Sequence, residues 1–136
     1  MSKSTTSNND EPTESPHRDV AETHRNGRVG SRLVSESPRV RVWHICLAPG
    51  ESLPMHTHVL DYFWTATSAG RARSHHAGGR VIEMAYHPGD TRHFTFGAGE
   101  FMTHDLQNIG DTVLCFTTVE FLDSANVALP LTTAGI

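Results

Sequence analysis

Residues 49–58 read PGESLPMHTH, and this stretch decides the fold. A Pro-Gly pair sets a turn, and the residues that follow it fit a β-strand. Side chains at positions i and i+2 of a strand point to the same face, so His56 and His58 project together. That face continues to Leu60 and Tyr62. The stretch therefore predicts a strand that carries two imidazoles close enough to share one ion.

The pattern around this stretch is that of an all-β protein. Strands are predicted near residues 31–36, 39–47, 51–56, 60–67, 71–76, 80–85, 91–96, 101–107 and 112–122. Gly-, Pro- and Asp-rich turns separate most of them, and no helical period occurs between residues 29 and 123. Strands of this number must close or pack as two sheets to remove their exposed edges. We therefore expect a jelly-roll β-barrel or a sandwich.

Length and composition indicate one domain. The chain has 136 residues, and residues 29–136 form the predicted β-barrel domain. Residues 1–28 are rich in Ser, Thr, Asn, Glu and Pro, so we expect a disordered N-terminal tail that buries too little surface to offset its ordering entropy. The net charge of −4 gives no general attraction to nucleic acid or to anionic membranes. We expect a small-molecule ligand and no nucleic-acid or membrane partner.

Two cysteines bear on the cellular location. Cys46 and Cys115 lie in separate apolar, strand-like runs. We interpret them as buried, reduced thiols of a cytoplasmic protein, with a pair of thiols near the site as the alternative. No apolar run resembles a secretory signal or reaches the roughly 20 residues of a membrane helix.

A third histidine lies far along the chain. Met102, His104 and Leu106 share one strand face, so a buried neutral imidazole would lie among apolar neighbours. Such a group is unfavourable unless it is hydrogen-bonded or bound to metal. His-x-His alone is weak support, but the distant third histidine strengthens the hypothesis of a metal site on His56, His58 and His104.

The spacing around these histidines resembles the two motifs of the cupin superfamily. The first motif has a glycine, five residues, His-x-His and a later glycine, which Gly50, His56, His58 and Gly70 match. The second motif ends in a histidine, three residues and an asparagine. His104 and Asn108 match that ending, after Gly89 and Gly97 match its start.

The sequence departs from the cupin pattern in two ways. Tyr62 and Phe63 stand where the family has a glutamate ligand, and the nearby Asp61 has the parity of the opposite face. Six residues instead of two separate Gly97 from His104. An alternative alignment therefore puts Glu100 in the histidine position of the second motif.

The resemblance implies a small, single-domain cupin with a jelly-roll barrel and one divalent metal ion, Fe, Mn, Ni or Zn, on His56, His58 and His104. The function this implies is a mononuclear metalloenzyme of oxygenase, lyase or isomerase type that acts on a small organic acid or carbonyl compound. A non-catalytic metabolite-binding or regulatory cupin, and a degenerate cupin without metal, are the alternatives. Cupins commonly pair, so a homodimer is expected.

Several side chains are candidates for contact with a substrate. Tyr62 and His93 are the candidate catalytic residues, because Tyr62 can donate a hydrogen bond from its phenol and His93 can donate to a substrate if it faces the interior. Arg73 and Arg92 can bind a carboxylate if they point inward, although we expect both at the surface. The predicted walls of the cavity are Trp64, Phe94, Phe96 and Met102, and the other histidines, including His44, His75, His76 and His87, are expected at the surface or in loops.

Overall fold

A computed structural model describes residues 25–131 of the chain. Its strands are β1 (Arg32–Glu36), β2 (Val40–Leu47), β3 (Ser52–His58), β4 (Tyr62–Ala66), β5 (Gly70–His75), β6 (Val81–Tyr86), β7 (Thr91–Phe94), β8 (Met102–Asn108) and β9 (Leu114–Phe121). The nine predicted strands are confirmed, each within two residues at either end. In this part of the chain no helix is long and apolar enough to cross a membrane. Most of the predicted disordered tail, residues 1–24, lies outside the described residues.

The strands form two antiparallel sheets. The five-stranded sheet has the order β1-β2-β9-β4-β7, and the four-stranded sheet has the order β3-β8-β5-β6. Apolar side chains from both sheets form one core between them, with Ile45 and Phe116 from the first sheet and Leu53 and Leu106 from the second. The predicted all-β jelly-roll fold is confirmed.

Strand alternation decides which side chains enter this core. Along β2, Trp43, Ile45 and Leu47 are buried, while His44 and Cys46 between them are exposed. Successive side chains of a strand point to opposite faces, so the sequence of β2 divides into an apolar inner set and a polar outer set.

The cysteines differ from the expectation. Cys46 on β2 lies directly opposite Cys115 on β9, and the two form a disulfide. They lie on the outer face of the five-stranded sheet, where Cys46 is exposed and Cys115 is half-buried. The prediction of two buried, reduced thiols is therefore wrong, because their parity is opposite to that of the core residues Ile45 and Phe116.

A β-bulge shapes the strand that carries two of the histidines. The register between β3 and β8 pairs Leu53 with Leu106 and then shifts before it pairs His56 with His104. Two consecutive residues between them, at positions 54 and 55, are exposed. Proline cannot donate a hydrogen bond to the ladder and is tolerated at such a bulge. The bulge lets both Leu53 and His56 face the interior.

The segment before β1 packs along β3. The backbone carbonyl of Asn26 accepts a hydrogen bond from the Thr57 N–H at 2.8 Å, and its side-chain amide donates to the Met55 carbonyl at 3.1 Å. A Cβ placed on Gly27 would lie 2.9 Å from Leu129 Cβ, so the two ends of the described chain meet here. Residues 25–28, which were expected within the disordered tail, are therefore attached to the barrel.

Candidate metal centre

The three predicted histidines converge inside the barrel. His56 and His58 extend from β3, and His104 extends from the neighbouring strand β8. One nitrogen of each ring lies within 4.8 Å of the others. The ring centroids are 4.9 Å apart for His56 and His58, 4.7 Å for His56 and His104, and 5.2 Å for His58 and His104. These three side chains are positioned to hold a metal ion.

A backbone contact fixes the protonation of the first ring. The Nδ1 atom of His56 is 2.7 Å from the carbonyl oxygen of Pro54. A carbonyl only accepts hydrogen bonds, so Nδ1 carries the proton and Nε2 keeps its lone pair. A hydrogen bond of this kind is the usual support of a metal-binding histidine, because it sets the tautomer and the ring orientation.

The other two rings bury nitrogen atoms that have no protein partner. Within the described residues, Nδ1 of His58 and Nδ1 of His104 are buried and form no hydrogen bond. An unsatisfied buried polar atom destabilises the fold by about 1–3 kcal/mol. A metal ion or a bound water would remove that penalty, so these atoms fit a metal site.

Burial also keeps the rings in the form that binds metal. Loss of hydration lowers the pKa of His56 to about 4. The hydrogen bond to Pro54 and the charge of Asp105 raise this pKa, but their effect is smaller. Burial, followed by the neighbouring histidines, lowers the pKa values of His58 and His104 well below the ordinary value. All three imidazoles are therefore neutral at pH 7, as metal ligands must be.

The donor set fits several divalent ions. Three imidazoles suit Zn, Fe and Ni, and no carboxylate of residues 25–131 joins the group. An ion held by these three side chains would have positions left for water or substrate, and it could polarise a carbonyl or lower the pKa of bound water.

The residues at the position of the family's glutamate have different roles. Tyr62 is 3% exposed, and its ring stacks on that of His58 at 4.1 Å with an interplanar angle of 11°. Asp61 points away, where its carboxylate accepts a hydrogen bond from the Phe96 N–H at 2.9 Å. The Asp61 carboxylate therefore binds a loop and not the histidine group. The Tyr62 ring covers one side of that group instead.

The structure distinguishes between Glu100 and His104 for the histidine position of the second motif. Glu100 is exposed, and its carboxylate accepts a hydrogen bond from the Gly97 N–H at 2.6 Å, so it caps the turn and does not enter the site. His104 occupies the interior position. Asn108 is fully buried, and its amide donates to the carbonyls of Leu47 at 2.9 Å and Thr112 at 2.8 Å. The alternative alignment through Glu100 is therefore not the one that the fold adopts.

A cavity of about 100 Å³ adjoins the histidines. This is several times the roughly 10–15 Å³ that one water molecule requires, so a small organic molecule fits. Three of the four predicted wall residues, Trp64, Phe94 and Met102, line it. The fourth, Phe96, packs behind Tyr62 with a ring separation of 6.3 Å.

His76 belongs to this cavity, although it was expected at the surface or in a loop. Its ring centroid is 5.0 Å from that of His104, and it lines the cavity together with Ser74. Burial, and then the charge of Arg80, lowers its pKa to about 4. Parity could have revealed it, because Ala72, Ser74 and His76 share one face of the predicted strand.

The short strand β7 directs Arg92 towards the interior and His93 towards the outside. Arg92, expected at the surface, lines the cavity with Phe94. His93 is exposed on the outer face, where its ring lies 5.1 Å from that of Phe63. His93 alternates with these two residues and does not face the interior, so the condition for its contact with a substrate is not met and this geometry gives no support to a catalytic role.

Comparison with known proteins gives results at the level of structure. No protein-family model and no curated protein matches the sequence. A cupin domain from Bordetella pertussis Tohama I has a TM-score of 0.58 and 21% identity, covering 66% of this chain and 88% of that chain. A conserved protein with a double-stranded β-helix domain from Klebsiella pneumoniae has a TM-score of 0.55 and 25% identity, covering 83% of this chain and 95% of that chain.

A cupin superfamily protein from Desulfitobacterium hafniense DCB-2 is also similar. Its TM-score is 0.50 and its identity is 17%, covering 68% of this chain and 75% of that chain. At these identities the likeness concerns the fold. Together with the two sheets described above, it confirms the predicted fold: the chain has the double-stranded β-helix fold of cupin domains.

Proposed function

We propose that the protein is a mononuclear metalloenzyme that acts on a small organic acid or carbonyl compound. His56, His58 and His104 would hold one divalent ion, Fe, Mn, Ni or Zn. The observation that carries the proposal is the pair of buried, unpartnered Nδ1 atoms of His58 and His104 beside a third ring whose tautomer is fixed. A barrel that only packed these rings would be expected to satisfy their nitrogens.

The surroundings support a reaction at this group. The cavity is lined mainly by apolar side chains with a few polar groups, which is typical of small-molecule sites. In metal-dependent oxygenases, lyases and isomerases the ion can bind oxygen atoms of the substrate. Tyr62 would hold His58 by stacking and would exclude water from that side of the site, and its phenol is the proposed hydrogen-bond donor to the substrate.

Metal analysis of the purified protein tests the proposal. We expect one ion per chain, lost in His56→Ala, His58→Ala and His104→Ala. His44→Ala is the matched control, because His44 is an exposed histidine on the outer face of β2. A wild-type protein that neither carries nor takes up Fe, Mn, Ni or Zn would contradict the proposal and favour a degenerate barrel. A metal-loaded protein that binds but does not convert small acids and carbonyl compounds would favour a non-catalytic binding role.

We also propose a homodimer. The half-buried apolar residues Phe63, Val119 and Phe121 on the outer face of the five-stranded sheet support it, since a second copy could cover them. Light scattering at micromolar concentration tests it, and a monomeric mass would contradict it. Cytoplasmic location stays a prediction, and the disulfide between Cys46 and Cys115 weighs against it, because thiols are usually reduced there.

A further inference from the structure

The side chain of Arg92 is directed into the cavity by the alternation of β7. Thr91 and His93 are exposed, whereas Arg92 and Phe94 are half-buried. In the register between β4 and β7, Arg92 lies opposite Trp64, and both residues line the cavity with the histidines. A permanently charged guanidinium therefore borders a chamber whose walls are mostly apolar.

Within residues 25–131 no carboxylate forms an ion pair with Arg92, in contrast to Arg41 with Glu36 at 2.9 Å and Arg73 with Glu83 at 2.8 Å. The carboxylate of Asp90, two residues earlier, accepts a hydrogen bond from the backbone N–H of His87 at 2.9 Å. A half-buried guanidinium without an ion pair favours an anionic ligand, since charge-assisted bonds to carboxylates are its strongest interactions.

A continuous stack of flat groups connects Arg92 to the metal-binding histidines. The guanidinium carbon is 5.1 Å from the ring centroid of Phe94. Phe94 stacks on Tyr62 at 4.7 Å and 7°, and Tyr62 stacks on His58 at 4.1 Å and 11°. The Arg92 side chain therefore lies along the same wall of the cavity as the histidine group, and its contact with Phe94 favours this placement.

We propose that Arg92 is a specificity-determining residue that binds the carboxylate of a small organic acid, so that the site selects an acid over its uncharged counterpart. This inference rests on the proposed function and names its substrate class. The small volume and the apolar lining between Arg92 and the histidines favour an acid with a short apolar or aromatic body.

Calorimetric titration with butyrate and benzoate, each compared with its primary amide, tests this inference. Acid and amide have nearly the same shape, so their difference reports the charge. In metal-loaded wild-type protein at least one acid should bind more tightly than its amide. Arg92→Gln should weaken binding of that acid roughly 10- to 100-fold and leave amide binding unchanged. Arg92→Lys, which keeps the charge, should weaken binding of the acid less than Arg92→Gln does.

Arg73→Gln is the matched control, because Arg73 pairs with Glu83 outside the cavity. Its acid affinity should equal that of the wild type. Metal content and thermal midpoint are measured for every variant, so that a loss of metal or of folding is recognised separately. The inference is overturned if neither acid binds, if acid and amide bind equally, or if Arg92→Gln keeps the wild-type acid affinity.

The same titration on metal-free protein separates this inference from the proposed function. If the wild type takes up no metal but still prefers an acid through Arg92, the proposed metalloenzyme fails and the anion site stands. If metal binds and the preference for the acid does not depend on Arg92, the anion site fails and the metal site stands.

Discussion

His56 on β3 lies directly opposite His104 on β8, with the ring centroids 4.7 Å apart. Side chains at directly opposed positions of an antiparallel pair are close enough to interact through one ion. The two ligands are therefore set by strand register, since a slip of one residue would turn His104 to the outer face. The candidate metal centre is thus a property of the pairing between these two strands.

Metal removal should destabilise the protein. An ion that binds only the folded state stabilises it by about 2.7 kcal/mol when its concentration is 100 times the dissociation constant. We expect chelation to lower the thermal midpoint by several degrees and metal addition to restore it, measured by calorimetry. In His58→Leu the metal effect should vanish, and the metal-free variant should unfold at a higher temperature than metal-free wild type, because one unsatisfied buried nitrogen is gone. Equal midpoints with and without metal in the wild type would contradict the prediction.

Glu120 should make stability depend on pH. It is 3% exposed, and it accepts a hydrogen bond from the Trp43 indole at 2.8 Å. Burial raises its pKa from 4.5 to about 7, against the weaker opposing effects of the Trp43 hydrogen bond and the Arg41 charge. The folded state therefore binds this proton more tightly than the unfolded state. The resulting stability is fully present below pH 4.5 and is lost as the pH rises through about 7.

Substitution of Glu120 measures this effect. Glu120→Gln keeps an oxygen that accepts from Trp43 and removes the buried charge. We expect the variant to exceed wild type in unfolding free energy at pH 8 by on the order of 3 kcal/mol, with a flatter profile between pH 5 and about 7, in urea titrations. Glu83→Gln, at an exposed ion pair, should change stability by less than about 1 kcal/mol. If the unfolding free energies of Glu120→Gln and wild type changed with pH in parallel, the raised pKa of Glu120 would be contradicted.

Because Cys46 and Cys115 are bonded to each other, neither should react as a free thiol. Cys46 and Cys115 are 69 positions apart in the sequence, so their bond closes a long loop. We expect no thiol to react in denatured, unreduced protein and two to react after reduction. Reduction, or replacement of both cysteines by alanine, should lower the unfolding free energy by about 2–4 kcal/mol. Two reactive thiols before reduction would show that the bond does not form.

The side-chain amide of Asn108 should be required for the stability of the fold. Its Nδ2 donates to two carbonyls, and its Oδ1 accepts from the Gly110 N–H at 2.9 Å. Asn108→Asp keeps only the acceptor and places a charge against two carbonyl oxygens, so we expect a loss of about 3–5 kcal/mol in chemical denaturation. Asn126→Asp is a matched control, because Asn126 makes the same pattern of bonds at a half-buried position. Its loss should be clearly smaller, and equal losses would contradict the role of burial.

Alternation predicted the strands and the shared face of His56 and His58, because strand parity is local. The position of His104 opposite His56 depends on the register of β3 against β8, and it was predicted through the resemblance to the cupin motifs. The disulfide was not predictable in this way, since it depends on the register of β2 against β9, which are distant in the sequence. The bulge at residues 54 and 55 is likewise a property of the pairing of β3 with β8. Arg92 was misjudged for a different reason: its parity matches that of Phe94, but its charge favoured a surface position.

The candidate site draws its parts from both halves of the barrel. His56, His58 and His104 belong to the four-stranded sheet, whereas Tyr62 and Arg92 belong to the five-stranded sheet. An acid whose carboxylate binds Arg92 and whose body packs beside the histidines would contact both layers at once. Slower hydrogen–deuterium exchange of amides in both layers at once would then be a signature of occupancy, even where no product forms.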